Sequence, residues 1–212
     1  MSMYSHVIWD WNGTLLDDVS CNFAVLNTML TNRGMSALDS VDAYRRVFGF
    51  PVQQYYQRVG FDFSKEPFES LAAEYDALYH DAAKVAPLFG DARRVLARIH
   101  DAGLHQIVLS AQQADRLMGQ VWPFGICGLF DEVIGLPDIL AVSKVEMGVR
   151  YMQRVKPQGA LLIGDTLHDK EVADALGADC VLVASGHQDR QTLVESGATV
   201  VDSLGQVEAI LD

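Results

Sequence analysis

Val7-Ile8-Trp9-Asp10-Trp11-Asn12-Gly13-Thr14 begins with three apolar residues, stops at a carboxylate and turns on a glycine. The apolar triplet reads as a buried strand, and Asp10 as the residue at its carboxyl end. Further short apolar runs lie at 106–109, 132–134, 160–163, 180–183 and 198–201. Between them the spacing is helical, as in Val145, Met147, Val149 and Met152, or Val172 and Leu176. Gly103 and Gly177 follow their helical segments as C-terminal caps would. Such alternation predicts an α/β fold, a Rossmann-like open parallel sheet with helices on both faces.

A strand–helix–strand crossover needs only about thirty residues, yet the second apolar run starts far downstream at Gln106. Something is inserted. The insertion holds six of the nine phenylalanines and five of the seven tyrosines of the chain, with helical spacings at Phe23, Leu26, Asn27 and Leu30 and at Leu71, Tyr75, Leu78 and Tyr79. It reads as a small helical domain over 17–86 with its own core, and 1–16 with 87–212 form the sheet-bearing core. Pro51 and Pro67 mark turns inside it.

The chain has 212 residues, half of them hydrophobic, and a formal net charge of −12. That charge argues against nucleic-acid partners and against an anionic membrane surface. An anionic substrate must be drawn by local charge, from a metal ion, a lysine or helix N-termini. Cys21, Cys127 and Cys180 are far apart and odd in number, fitting reduced thiols rather than a disulfide framework or a metal site. No signal-peptide pattern opens the sequence and no apolar stretch would span a bilayer. A cytoplasmic location is expected, and oligomeric state is not readable.

In open α/β sheets, ligands bind beyond the carboxyl ends of the strands. Asp10 ends the first run, Ser110 the second, and Asp165 the run at 160–163, with Asp169 one helical turn later and Lys144 at the start of a helix. A single aspartate after a strand is usually a helix N-cap. Acids and a hydroxyl recurring on several strands, with a lysine, point instead to one charged site on a common rim.

In that order the residues resemble the four motifs of the haloacid dehalogenase-like superfamily. Asp10-Trp11-Asn12-Gly13-Thr14-Leu15 resembles the first motif, Ser110 the second, Lys144 the third, and Gly164-Asp165-Thr166-Leu167-His168-Asp169 the fourth. The insertion falls where this family places a helical cap, and the phosphoglycolate phosphatase-like branch is the most similar. The resemblance implies a phosphatase of a small phosphorylated metabolite, with Asp10 attacking phosphorus to give an aspartyl-phosphate. It implies Mg²⁺ held by Asp10, Asp165 and the Asn12 backbone carbonyl, with Asp169 one layer out. It also implies that Thr14, Ser110, Ala111 and Lys144 contact the phosphate.

Asn12 departs from the pattern. Phosphatases of this family have aspartate there to protonate the leaving alkoxide and later activate water, and an amide can do neither. General acid–base catalysis is worth about a hundred- to ten-thousand-fold. Three readings remain: a phosphatase borrowing another acid, with His168 and His187 as candidates; a relative cleaving carbon–phosphorus or carbon–halogen bonds; or a phosphate-ligand or partner-binding protein with little turnover. Lys65 and Lys84 are the lysines of the insertion that a Schiff-base mechanism would call on, and no motif supports that use.

Overall fold

The structure is a computed structural model that describes residues 3–137 and 143–211. Met1 and Ser2 of the N-terminal stretch read above lie outside the described residues. Six strands form one wholly parallel sheet: β1 (His6–Trp9), β2 (His105–Gln113), β3 (Glu132–Leu136), β4 (Ala160–Gly164), β5 (Asp179–Val183) and β6 (Thr199–Val201), in the order β3-β2-β1-β4-β5-β6. The chain builds outward from β1 to β3, then returns to lay β4 on the other side of β1. The switch in direction therefore falls between β1 and β4, where sheets of this kind open a crevice for ligands.

Side chains alternate across each strand. Val7 and Trp9 join Val108, Leu161, Ile163 and Val183 on one face, under α5 (Ala92–Asp101) and α6 (Ala114–Val121). Ile8 joins Ile107, Leu109 and Leu162 on the other, under α7 (Lys144–Val155) and α8 (Leu167–Leu176). Burial on both faces explains why the central strands are nearly uninterrupted apolar runs. Each fully buried aliphatic side chain contributes roughly 1.5–3 kcal/mol. The chain closes with α9 (Arg190–Glu195) and α10 (Glu208–Leu211).

The second strand differs from its expected extent. It runs on to Gln113, so Ser110 and Ala111 lie inside it rather than beyond its end. The apolar criterion stops at Leu109 because the following residues are polar, whereas backbone pairing resumes at Gln113–Leu136 after an irregularity.

Residues 19–85 hold four helices, α1 (Val19–Thr31), α2 (Val41–Val47), α3 (Val52–Arg58) and α4 (Phe68–Ala82), followed by a short 3-10 turn. Pro51 and Pro67 stand immediately before α3 and α4, where a residue without an N–H costs no helical hydrogen bond. These helices bury Leu26, Met29, Leu30, Tyr44, Tyr56 and Leu71 in an apolar cluster separate from those of the sheet. The two chain crossings between insertion and sheet run side by side, tied by Asp17 N–H to the Pro87 carbonyl at 2.8 Å and Phe89 N–H to the Leu15 carbonyl at 3.0 Å. Among the described residues no helix is long and apolar enough to cross a membrane, and all three cysteines are free and half-buried.

Candidate active site

Strand register sets the site. Trp9 pairs with Val108 of β2 and Ile163 of β4, so Asp10, Ser110 and Asp165 emerge within a residue of one another along the rim. Asp10, Asp165 and Asp169 are buried, with ligand oxygens within 4.8 Å of one another. Lys144 at the start of α7, positioned by the Ser143–Glu146 capping box, reaches into this cluster. Its Nζ lies 2.5 Å from Asp10 Oδ1 and 2.6 Å from Asp169 Oδ1. Thr14 donates its hydroxyl to Asp165 Oδ1 at 3.0 Å, and His187 its backbone N–H to Asp165 Oδ2 at 2.6 Å. Asp169 Oδ2 accepts from the Thr166 hydroxyl at 2.7 Å.

Three glycines clear the space around these carboxylates. A Cβ on Gly13 or Gly186 would meet Asp165 Oδ2 at 2.3 or 2.2 Å, and one on Gly164 would meet the Asp169 carboxyl carbon at 2.2 Å. Gly13 also has φ 76°, a conformation that glycine adopts without strain.

Two of the three carboxylates, Asp10 and Asp169, share one lysine, and the ionisation of the cluster reflects it. Burial pushes Asp10 above the usual carboxylate range; Lys144 opposes this, while Asp169 and Asp165 add to it. Asp165 is likewise raised, by burial first, against the His187 charge and with that of Asp169. For Asp169, burial is outweighed by Lys144 and by hydrogen bonds from Lys144 and Thr166, so it stays low. Burial alone would lower Lys144, but the two carboxylates hold it firmly protonated. Three clustered carboxylates with one lysine leave two negative charges uncompensated, which a hard divalent ion fits, since its charge would return Asp10 and Asp165 to the ionised form.

Asn12 belongs to a second buried cluster centred on Asp18, a residue that sequence reasoning missed. Its carboxylate takes five hydrogen bonds. Oδ2 accepts from Asn12 Nδ2 at 3.1 Å, Asn22 Nδ2 at 3.0 Å and the Tyr79 hydroxyl at 2.6 Å. Oδ1 accepts from the Gly13 N–H at 2.8 Å and faces His187 Nε2 at 3.1 Å. The other ring nitrogen of His187 meets the Tyr44 hydroxyl at 2.9 Å. Burial would raise Asp18, but the His187 charge and these donors leave it below the usual range. Burial would likewise lower His187; Asp18 overrides it and lifts the imidazole to about 9. Asp18 stands immediately ahead of α1, yet it makes no side-chain cap bond there.

The sequence profile of the haloacid dehalogenase-like hydrolases matches residues 7–183, most of the chain and every residue of both clusters except His187. The protein belongs to the haloacid dehalogenase-like hydrolase family. Among curated relatives, a phosphoglycolate phosphatase of Synechococcus elongatus is 24% identical over 89% of this chain and 87% of its own length. One of Pseudomonas putida is 27% identical over 93% and 76%. The protein tyrosine kinase A structure of Mycobacterium tuberculosis, 22% identical, covers 98% of each chain with a TM-score of 0.81, which shows the shared fold.

In this haloacid dehalogenase-like hydrolase the two clusters open into one cavity of about 1130 Å³ between sheet and insertion, lined by Asp10, Asn12, Ser110, Ala111, Lys144 and Asp165 at one end. Ser110 is buried, and its oxygen accepts from the Gln112 N–H at 3.1 Å, which leaves its O–H to donate. Thr14 does not join this wall: it is fully buried and its hydroxyl braces Asp165 and, at 3.4 Å, Asp10. Asp169, expected one layer out, holds the Lys144 ammonium at 2.6 Å and lies close to Asp10 and Asp165. Of the two histidines considered as acids, His187 has both ring nitrogens engaged, whereas His168 lines the cavity with its ring against Phe50 at 4.9 Å. Lys65 pairs with Asp62 on the surface, and Lys84, at the cavity wall, with Asp81.

Proposed function

We propose that this protein is a Mg²⁺-dependent phosphatase of small phosphate monoesters, acting through an aspartyl-phosphate on Asp10, with residues 17–86 as a cap over the site. The observation that carries the reading is Asp10 at the sheet's switch point, 2.5 Å from the Lys144 ammonium and clustered with Asp165 and Asp169. Asp10, Asp165 and the Asn12 carbonyl would hold the ion, which when bound supplies charge for the carboxylates and phosphoryl oxygens. An Asp10 carboxylate oxygen attacks phosphorus, the bond to the ester oxygen breaks, and the departing alkoxide takes a proton from a water molecule in the cavity. Water then cleaves the acyl-phosphate, releasing inorganic phosphate and restoring Asp10. Lys144 and the Ser110 hydroxyl hold phosphoryl oxygens during transfer, and the closed cap limits water. The names of the two phosphoglycolate phosphatases agree with phosphate-ester hydrolysis.

Asn12 supports a second reading, a phosphate-binding protein of little turnover, because its amide supplies no proton to the leaving oxygen. Steady-state assay of a phosphate-ester panel with Mg²⁺, together with acid-quench trapping of protein-bound phosphate, separates the two. Turnover lost in Asp10→Asn supports the phosphatase. Tight binding of the esters without phosphate release, or trapping that persists in Asp10→Asn, overturns it.

A further inference from the structure

Much of the cavity lies away from the phosphate end, and its walls have a definite chemistry. One face of α4 lines it from Phe68 through Ala72, Tyr75 and Asp76 to Tyr79. Tyr79 touches Asn12 at 2.6 Å and so marks the catalytic end. At 1.5 Å per residue, Ala72 stands about 10 Å further along the helix and Phe68 about 16 Å. Phe48, Phe50, Val52, Tyr55 and Tyr56 line the cavity as well. The volume of about 1130 Å³ exceeds what a two-carbon phospho-acid fills and matches sites for much larger ligands.

Charge points the same way. Among the described residues the lysines and arginines that line the cavity are Lys84, Arg116 and Lys144. Each already holds a carboxylate: Asp81, Asp76, and Asp10 with Asp169. Asp10, Asp18, Asp76, Asp115, Asp165 and Asp169 line the same space. A second anionic group on the substrate, such as the carboxylate of phosphoglycolate, would find no lysine or arginine on these walls that is not already paired with a carboxylate. An uncharged apolar body would meet aromatic rings along its length.

We infer that the preferred substrate is a phosphate monoester with a long or bulky uncharged apolar body, the phosphate at Asp10 and the body lying along α4. The inference rests on the phosphate-binding end proposed above, and the experiment keeps the two apart. n-Octyl phosphate and ethyl phosphate share a leaving-group chemistry and differ only in the apolar body, so their comparison is not confounded by the missing acid. Each buried methylene is worth roughly a factor of four, so partial burial of the extra chain predicts kcat/KM for octyl phosphate at least about a hundredfold above that for ethyl phosphate.

Calorimetric titration of Asp10→Asn with Mg²⁺ measures the same preference without turnover. It is expected to show octyl phosphate binding at least about a hundredfold tighter than ethyl phosphate and at least about tenfold tighter than phosphoglycolate. Ala72→Phe, which fills the cavity wall away from the catalytic residues, is expected to cut the octyl preference about tenfold and leave ethyl phosphate within about threefold. Equal affinities for octyl and ethyl phosphate, or phosphoglycolate bound best, overturn the inference even if every ester is hydrolysed. Absence of turnover with the octyl preference intact in binding overturns the phosphatase and leaves the inference standing.

Discussion

The Asn12 amide donates to the Asp18 carboxylate across 3.1 Å, and the two residues are matched. Asn12 gives Nδ2 hydrogens to Asp18 and to the Tyr79 oxygen, while Tyr79 in turn donates to Asp18. A carboxylate at position 12 would face a buried, ionised Asp18 and could stay only by holding a proton of its own. The amide therefore suits the electrostatics of this pocket, and it carries no proton that it could give to a leaving group at neutral pH.

Asn12→Asp is expected to raise kcat/KM on alkyl phosphates by about ten- to a hundredfold, and on p-nitrophenyl phosphate much less, because the aryl leaving group needs little protonation. The same variant is expected to lose about 1–3 kcal/mol of stability through the disrupted hydrogen bonds to Asp18. Chemical denaturation and a leaving-group series measure both. If no ester is hydrolysed faster, the idea that a missing acid limits the rate is wrong.

Lys144→Met removes the shared cation of Asp10 and Asp169. With two buried carboxylates left unpaired, the protein is expected to lose about 3–5 kcal/mol. Asp10→Asn in the same background should recover part of the loss, since one uncompensated charge disappears. Urea midpoints of the single and double variants decide; additive losses would contradict the pairing.

Metal binding should depend on pH. Burial and mutual repulsion raise Asp10 and Asp165, so a divalent ion competes with protons for both. Mg²⁺ affinity is expected to fall about tenfold or more from pH 8 to pH 6, with proton release on binding at the lower pH. Titration calorimetry in two buffers of different ionisation enthalpy measures it. Equal affinities and no proton release would remove the case for a metal at these carboxylates.

His187 supplies a stability profile with a definite sign. Its folded value of about 9 lies above the ordinary 6.5, so its contribution is complete below 6.5 and is lost as the pH climbs through about 9. Asp18 is lowered, so the pair also weakens in acid as that carboxylate takes a proton. Wild type should exceed His187→Gln by a few kcal/mol near pH 6, the gap closing by pH 10. A gap that widens with rising pH would show that the imidazole is not held charged.

The parallel sheet and the first cluster were legible because both are written in local pattern. Apolar runs mark strands that are buried on both faces, and Asp10 and Asp165 stand at their carboxyl ends. Ser110 belongs to the same rim but sits within β2, whose polar last residues no apolar criterion follows. The helical insertion was legible for a simpler reason, an excess of sequence between two strands that must be neighbours. Asp18 was not, because a carboxylate ahead of a helix looks like any cap until the fold shows where its oxygens point.

For the same reason the sequence alone was enough to recognise Asp10 as part of a charged rim and Asn12 as a departure from the family's pattern. Neighbouring residues and strand periodicity carry that information. Tertiary packing alone set Asn12 against Asp18, brought His187 and Tyr79 to the same carboxylate, and lined the space beyond them with α4. Those contacts join residues far apart in the chain, and burial gives them their energetic weight by removing the water that would otherwise separate and screen the charges.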